Sequence, residues 1–71
     1  MKKIICGDKC RIVKTLTVTI DGDTIECYDD NIGDEVVLNG YAADGVFFAT
    51  NLTKGYNMYV HSEILEKIEE N

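Results

Sequence analysis

Four residues of this sequence, Cys6, Cys10, Cys27 and His61, are the donor types of a Cys₃His zinc site, in which three thiolates and an imidazole would surround the ion tetrahedrally. Their spacing argues against that use. Cys6 and Cys10 are close enough to share a metal, but Cys27 falls in an alternating apolar pattern and His61 has no cysteine near it. Thiols that pack as small apolar side chains are the better reading, so neither a metal nor any other cofactor is expected. A Cys27–His61 nucleophile pair would rest on residue type alone. The glycines are too scattered to cradle a phosphate, and neither a Walker loop nor a nucleophile elbow is present. The chain is therefore expected not to be an enzyme.

The second chemistry on offer is charge. Asp21, Asp23, Glu26, Asp29, Asp30, Asp34 and Glu35 crowd one stretch without the spacing of a calcium-binding loop, so they either solvate the surface or attract a basic protein. Thirteen Asp and Glu against seven Lys and Arg give a net charge of -6. A field of that sign repels phosphate backbones and anionic lipid, which argues against direct nucleic-acid or membrane binding. Lys2, Lys3, Lys9, Arg11 and Lys14 form the one basic cluster and read as solubilising charge. Tyr28, Tyr41, Phe47, Phe48, Tyr56 and Tyr59 all fall in or beside extended segments. They are too many for one small core, so some must be exposed and available to a protein partner.

The elements that must position these groups are short. Seventy-one residues, 45% of them hydrophobic, suit one domain over residues 1–71 with a compact core. Two or three apolar residues follow Lys2 and Lys3, too few for an export signal, and no apolar run approaches the roughly 20 residues of a membrane helix. Three cysteines cannot all pair within one chain, so reduced thiols and a cytoplasmic setting are expected.

Proline is absent and glycine mostly follows Asp, Asn or Lys, the punctuation of hairpins. Asp21-Gly22 is a favoured two-residue type I′ connection between residues 16–20 and 23–27. With that loop, Val18 faces Ile25, Leu16 faces Cys27, Thr17 faces Glu26 and Thr19 faces Thr24, which sorts one apolar and one polar face. A second block starts at Glu35-Val36-Val37-Leu38; either Asn39-Gly40 turns tightly or the chain continues extended to Ala42-Ala43-Asp44-Gly45, which is preferred because it leaves strands of normal length, and a bulge at Gly40 would reconcile both. The third block runs from Val46 to Leu52 and returns through a turn centred on Lys54-Gly55. That turn sets Ala49 opposite Val60, Asn51 opposite Met58 and Thr50 opposite Tyr59, with Phe48 and Tyr59 sharing the second face. In the tail, Ile64, Leu65 and Ile68 fit either a short helix capped by Ser62 or a 3₁₀ turn at residues 62–64 followed by a closing strand, and the strand is preferred. The expected core is Cys10, Ile12, Val18, Ile25, Val36, Leu38, Ala49 and Val60.

This order of parts resembles an SH3 domain: a long first hairpin, an acidic loop into Gly33-Asp34-Glu35-Val36-Val37-Leu38, then Asp44-Gly45-Val46-Phe47-Phe48-Ala49. Tyr59 to Ile68 resembles the family's passage from an apolar strand through a 3₁₀ turn into a last short strand. Gly7-Asp8-Lys9-Cys10-Arg11-Ile12-Val13 is similar to the first strand of bacterial SH3-like barrels and KOW-type domains. The resemblance implies an all-β, five-stranded antiparallel barrel with a short 3₁₀ or helical turn near the C-terminus. It does not imply polyproline recognition: Val46 stands where a groove tryptophan is expected, His61 where a proline is, and Ile64 where a tyrosine is.

The functional expectation is a non-enzymatic module that docks a basic or amphipathic protein segment on Asp29, Asp30, Phe48, Tyr59, His61 and Ile64. A second reading is a small acidic inhibitor of the phage or mobile-element type, whose carboxylates imitate a phosphate backbone and block a nucleic-acid-binding enzyme. Salt dependence separates the two, being steep for a mimic and shallow for a groove with apolar anchors.

Overall fold

A computed structural model describes residues 4–68. These form seven strands: β1 (Lys9–Ile12), β2 (Leu16–Ile20), β3 (Asp23–Cys27), β4 (Glu35–Ala43), β5 (Val46–Asn51), β6 (Tyr56–His61) and β7 (Leu65–Lys67). Two 3₁₀ turns interrupt them, at Asp29–Asn31 and Ser62–Ile64. Five strands make one antiparallel sheet in the order β6-β5-β4-β1-β7, and β2 and β3 make a separate two-stranded ribbon. Among the described residues the outer strands β6 and β7 do not pair with each other, so the five-stranded sheet is not a closed barrel. No α-helix occurs among the described residues, and none there is long and apolar enough to cross a membrane.

Local chemistry sets each turn. Asp21 and Gly22 adopt φ of 51° and 82°, the paired positive values of a type I′ turn. They fix the expected register of β2 on β3: Leu16 faces Cys27, Thr17 faces Glu26, Val18 faces Ile25 and Thr19 faces Thr24. β4 runs without a break through Asn39 and Gly40, the preferred extended reading over a tight turn, and its pairing with β5 slips between Leu38 and Gly40, where a bulge would reconcile the two. The β5–β6 register differs by two residues from the sequence expectation. Phe47 faces Val60, Phe48 faces Tyr59, Ala49 faces Met58 and Asn51 faces Tyr56. The connection is the four residues 52–55, because Asn51 caps it: its side-chain oxygen accepts from Lys54 N at 2.8 Å and its carbonyl from Gly55 N at 2.8 Å. A shift of two keeps every side chain on its face, so Phe48 and Tyr59 do share a surface. In the tail, the 3₁₀ turn leads into β7 as expected, and β7 pairs with β1 through Ile12 opposite Leu65.

The core comprises Cys10, Ile12, Val36, Leu38, Phe47, Ala49, Val60, Ile64 and Leu65, with Ile4, Leu16, Tyr28 and Met58 packed against it. Burying each large aliphatic of this set stabilises the fold by roughly 1.5–3 kcal/mol. Two expected members are missing. Ile25 is 44% exposed and Val18 only partly covered, because the ribbon packs on the core at its base, through Leu16, and its outer end extends past it. Conversely Ile64, expected at a binding surface, has no exposure at all. The 3₁₀ turn aims it inward, where it acts as core.

Candidate functional site

The outer face of β4, β5 and β6 is built by strand alternation. Ala49, Asn51, Val60 and Phe47 point into the core, which forces Phe48, Thr50, Asn57 and Tyr59 to the other side. Phe48 and Tyr59 are directly opposite and meet edge to face, with ring centroids 5.4 Å apart and planes at 61°. That geometry is the attractive one for aromatic pairs. Tyr59 is 59% exposed and Phe48 36%, so the pair is a surface feature. A polar row continues the face: Asn39 Nδ2 donates to Thr50 Oγ1 at 2.8 Å, and Thr50 Oγ1 donates to Asn57 Oδ1 at 3.0 Å.

His61 stands further along β6, opposite Val46. Its Nδ1 accepts from Glu63 N at 3.2 Å, which caps the second 3₁₀ turn and fixes the ring. Gly45 turns there with φ of 72°, and a Cβ at that position would lie 3.4 Å from His61 Cε1, so the turn and the ring share the space. Thus Phe48, Tyr59 and His61 are brought together on β5 and β6, while Ile64 is removed from the surface.

Asp29 and Asp30 occupy the exposed first 3₁₀ turn. This turn is held along the β6 side of the sheet at two points. Tyr28 Oη donates to Tyr59 O at 3.0 Å, and Asn31 Nδ2 donates to Tyr56 Oη at 2.8 Å. Tyr28 has φ of 71°, a left-handed conformation unusual for a bulky residue. Its ring packs against the core and its hydroxyl occupies the free edge of β6, and these contacts hold the backbone in that conformation. Burial pushes the phenol pKa up, with a further push from Cys27 and a pull down from the His61 backbone N–H.

Asp34 anchors the same loop from below and was not singled out by sequence reasoning. Its Oδ2 accepts from Lys54 Nζ at 2.6 Å, Asn51 Nδ2 at 2.9 Å and Asn31 Nδ2 at 3.0 Å. Lys54 Nζ also donates to Asp30 O at 3.0 Å. Asp34 is 4% exposed and Asn51 fully buried, so this is an interior polar network joining the acidic loop to the β5–β6 turn. The hydrogen bond from Lys54, then those from Asn51 and Asn31, hold the Asp34 carboxyl at about 2 against the opposing effect of burial. A signal existed in the sequence: Asn51 sits at an inward position of an apolar strand, and Lys54 is the lone Lys or Arg between Lys14 and Lys67.

The cysteines take no part in this face. Cys6 is exposed, Cys27 half-buried and Cys10 buried, and all three are free thiols. Cys10 is a core side chain, and burial, chiefly, with the nearby Asp8 pushes its thiol pKa up against the pull of Lys67, which disfavours the nucleophilic thiolate. Among the described residues no three His, Cys, Asp or Glu side chains converge as a metal site. In the basic cluster, Lys9 and Arg11 both approach Glu35, at 3.7 and 3.5 Å, and Lys2 and Lys3 lie outside the described residues. Compared with protein-family models, with curated proteins and with solved structures, the chain finds no match.

Proposed function

We propose that this chain is a non-enzymatic, SH3-like interaction module whose outer β5–β6 face docks a basic or amphipathic segment of another protein. The observation that carries the reading is the exposed Phe48–Tyr59 pair on β5 and β6; the loop that carries Asp29 and Asp30 is tied through Tyr28 to the edge of the same strand, β6. Exposed aromatics in mutual contact lose little conformational freedom on binding and supply large contact area. Carboxylates on that loop speed the approach of a cation and select against anionic partners. Three free thiols suit a cytoplasmic setting. The strand order, the bulged β4 and the 3₁₀ turn before β7 support the SH3-like part of the reading.

The test is a partner captured from the native host and titrated against variants. Tyr59→Ala should weaken binding by roughly 1–3 kcal/mol with the melting transition unchanged. Reversal of Asp29 and Asp30 to Lys should mainly slow association and reduce its salt sensitivity. If the charge reversals abolish binding and Tyr59→Ala does nothing, the module is instead an acidic mimic of a phosphate backbone.

A further inference from the structure

The β2–β3 ribbon presents a second surface that the reading above does not use. Alternation places Leu16, Val18 and Ile20 on one face of β2, with Ile25 and Cys27 beside them on β3. The lower end of this stripe belongs to the fold, since Leu16 packs on the core. The upper end does not: Val18 is partly covered, Ile25 is 44% exposed and Ile20 56% exposed. Val18 and Ile25 are directly opposed and Ile20 is next on the same face, so the exposed groups are contiguous and unlike the single apolar residues that scatter over any surface.

Charge indicates what would cover it. Asp21 in the turn and Asp23 directly opposite Ile20 border the outer end, both exposed, and no Lys or Arg occurs in the sequence between Lys14 and Lys54. A second copy of the chain would bring the same carboxylates against these, and each copy carries a net charge of -6. Nucleic acid and anionic lipid are repelled for the same reason. A protein segment with apolar residues on one side and Lys or Arg flanking them satisfies both the apolar stripe and its acidic rim.

We infer that the apolar face of the β2–β3 ribbon, at Val18, Ile20 and Ile25, is a docking surface for a basic amphipathic protein segment, separate from the Phe48–Tyr59 face. The experiment titrates the isotopically labelled chain with a Leu–Lys peptide patterned as an amphipathic helix, and in parallel with an all-Lys peptide of equal charge. Amide shifts should centre on residues 16–27, and the all-Lys peptide should bind about tenfold or more weakly. The double variant Ile20→Thr, Ile25→Thr keeps strand-compatible side chains and should leave the fold unchanged. It should weaken the Leu–Lys peptide about tenfold, a loss of about 1.4 kcal/mol. In the double variant Phe48→Ser, Tyr59→Ser the peptide's shifts on residues 16–27 should persist at the parent's midpoint even where shifts on β5 and β6 are lost, so failure of one surface is distinguishable from failure of the other. Absence of shifts on residues 16–27, equal effect of the all-Lys peptide there, or indifference of those shifts to Ile20 and Ile25 would each overturn the inference. So would sedimentation as a dimer that the Ile20→Thr, Ile25→Thr variant dissolves, because the occupant would then be a second copy.

Discussion

The five-stranded sheet and the β2–β3 ribbon have the same local grammar and opposite fates. Both alternate apolar and polar residues at period two. In the sheet, Val36, Leu38, Ala49 and Val60 are sealed by Ile64, Leu65 and the base of the ribbon; on the ribbon, Ile20 and Ile25 remain in water. An alternating strand announces which residues share a face, and only the tertiary arrangement decides whether that face is covered. Stability accordingly resides in the sheet. The ribbon is held by its turn, its ladder and its anchored base at Leu16 and Tyr28.

Substitutions should expose this asymmetry. The largest effect belongs to Ile64→Ala, which removes a fully buried side chain and leaves a cavity; a loss of about 2–5 kcal/mol is expected in denaturant unfolding, a large share of the stability of so small a domain. If Ile64→Ala were nearly neutral, the core assignment would be wrong and the residue would return to the surface where its sequence context first placed it.

Asp34→Ala comes next. It strands the Asn51 amide in the interior and removes the acceptor of Lys54, at an expected cost of about 2–3 kcal/mol. The same group gives an acid signature. Its folded pKa lies below the ordinary carboxyl value, so its contribution is fully present above about pH 4 and is lost as pH falls through about 2. Unfolding free energy measured between pH 4 and pH 2 should therefore fall less steeply in Asp34→Asn than in the parent protein. Equal slopes would remove the network from the account.

Tyr28→Phe is expected to cost about 1 kcal/mol, since it retains the ring and loses only the hydrogen bond to Tyr59 O. Its more telling result is local: amides of residues 24–28 should exchange faster while those of β4 and β5 do not. Smallest of all, Ile25→Thr should shift stability by less than about 0.5 kcal/mol, in sharp contrast to Ile64→Ala, because little of Ile25 is withdrawn from water.

Much of the fold was legible in the residues. Asp21-Gly22 dictated a turn type, and through it the whole β2–β3 register. Gly40 marked a bulge within β4 and the tail resolved as a 3₁₀ turn and a strand. What escaped were consequences of long-range contacts. The β5–β6 register is set by Asn51 capping its own turn while buried against Asp34, which lies 17 residues away and was hidden in a run of carboxylates. The site was half legible: parity put Phe48 and Tyr59 on one surface, but no pattern in the tail distinguishes Ile64 pointing outward from Ile64 pointing in.

The central claim, that the Phe48–Tyr59 face is a docking surface and not unfilled core, is tested most directly by one calorimetric comparison. A captured partner is titrated into the parent chain and into Phe48→Ser, Tyr59→Ser at two ionic strengths, with both chains' melting transitions recorded. The account predicts binding weakened about tenfold or more by the double substitution at both ionic strengths, with the melting transition little changed. Undiminished affinity in the double variant, or a variant that no longer melts cooperatively, would contradict it.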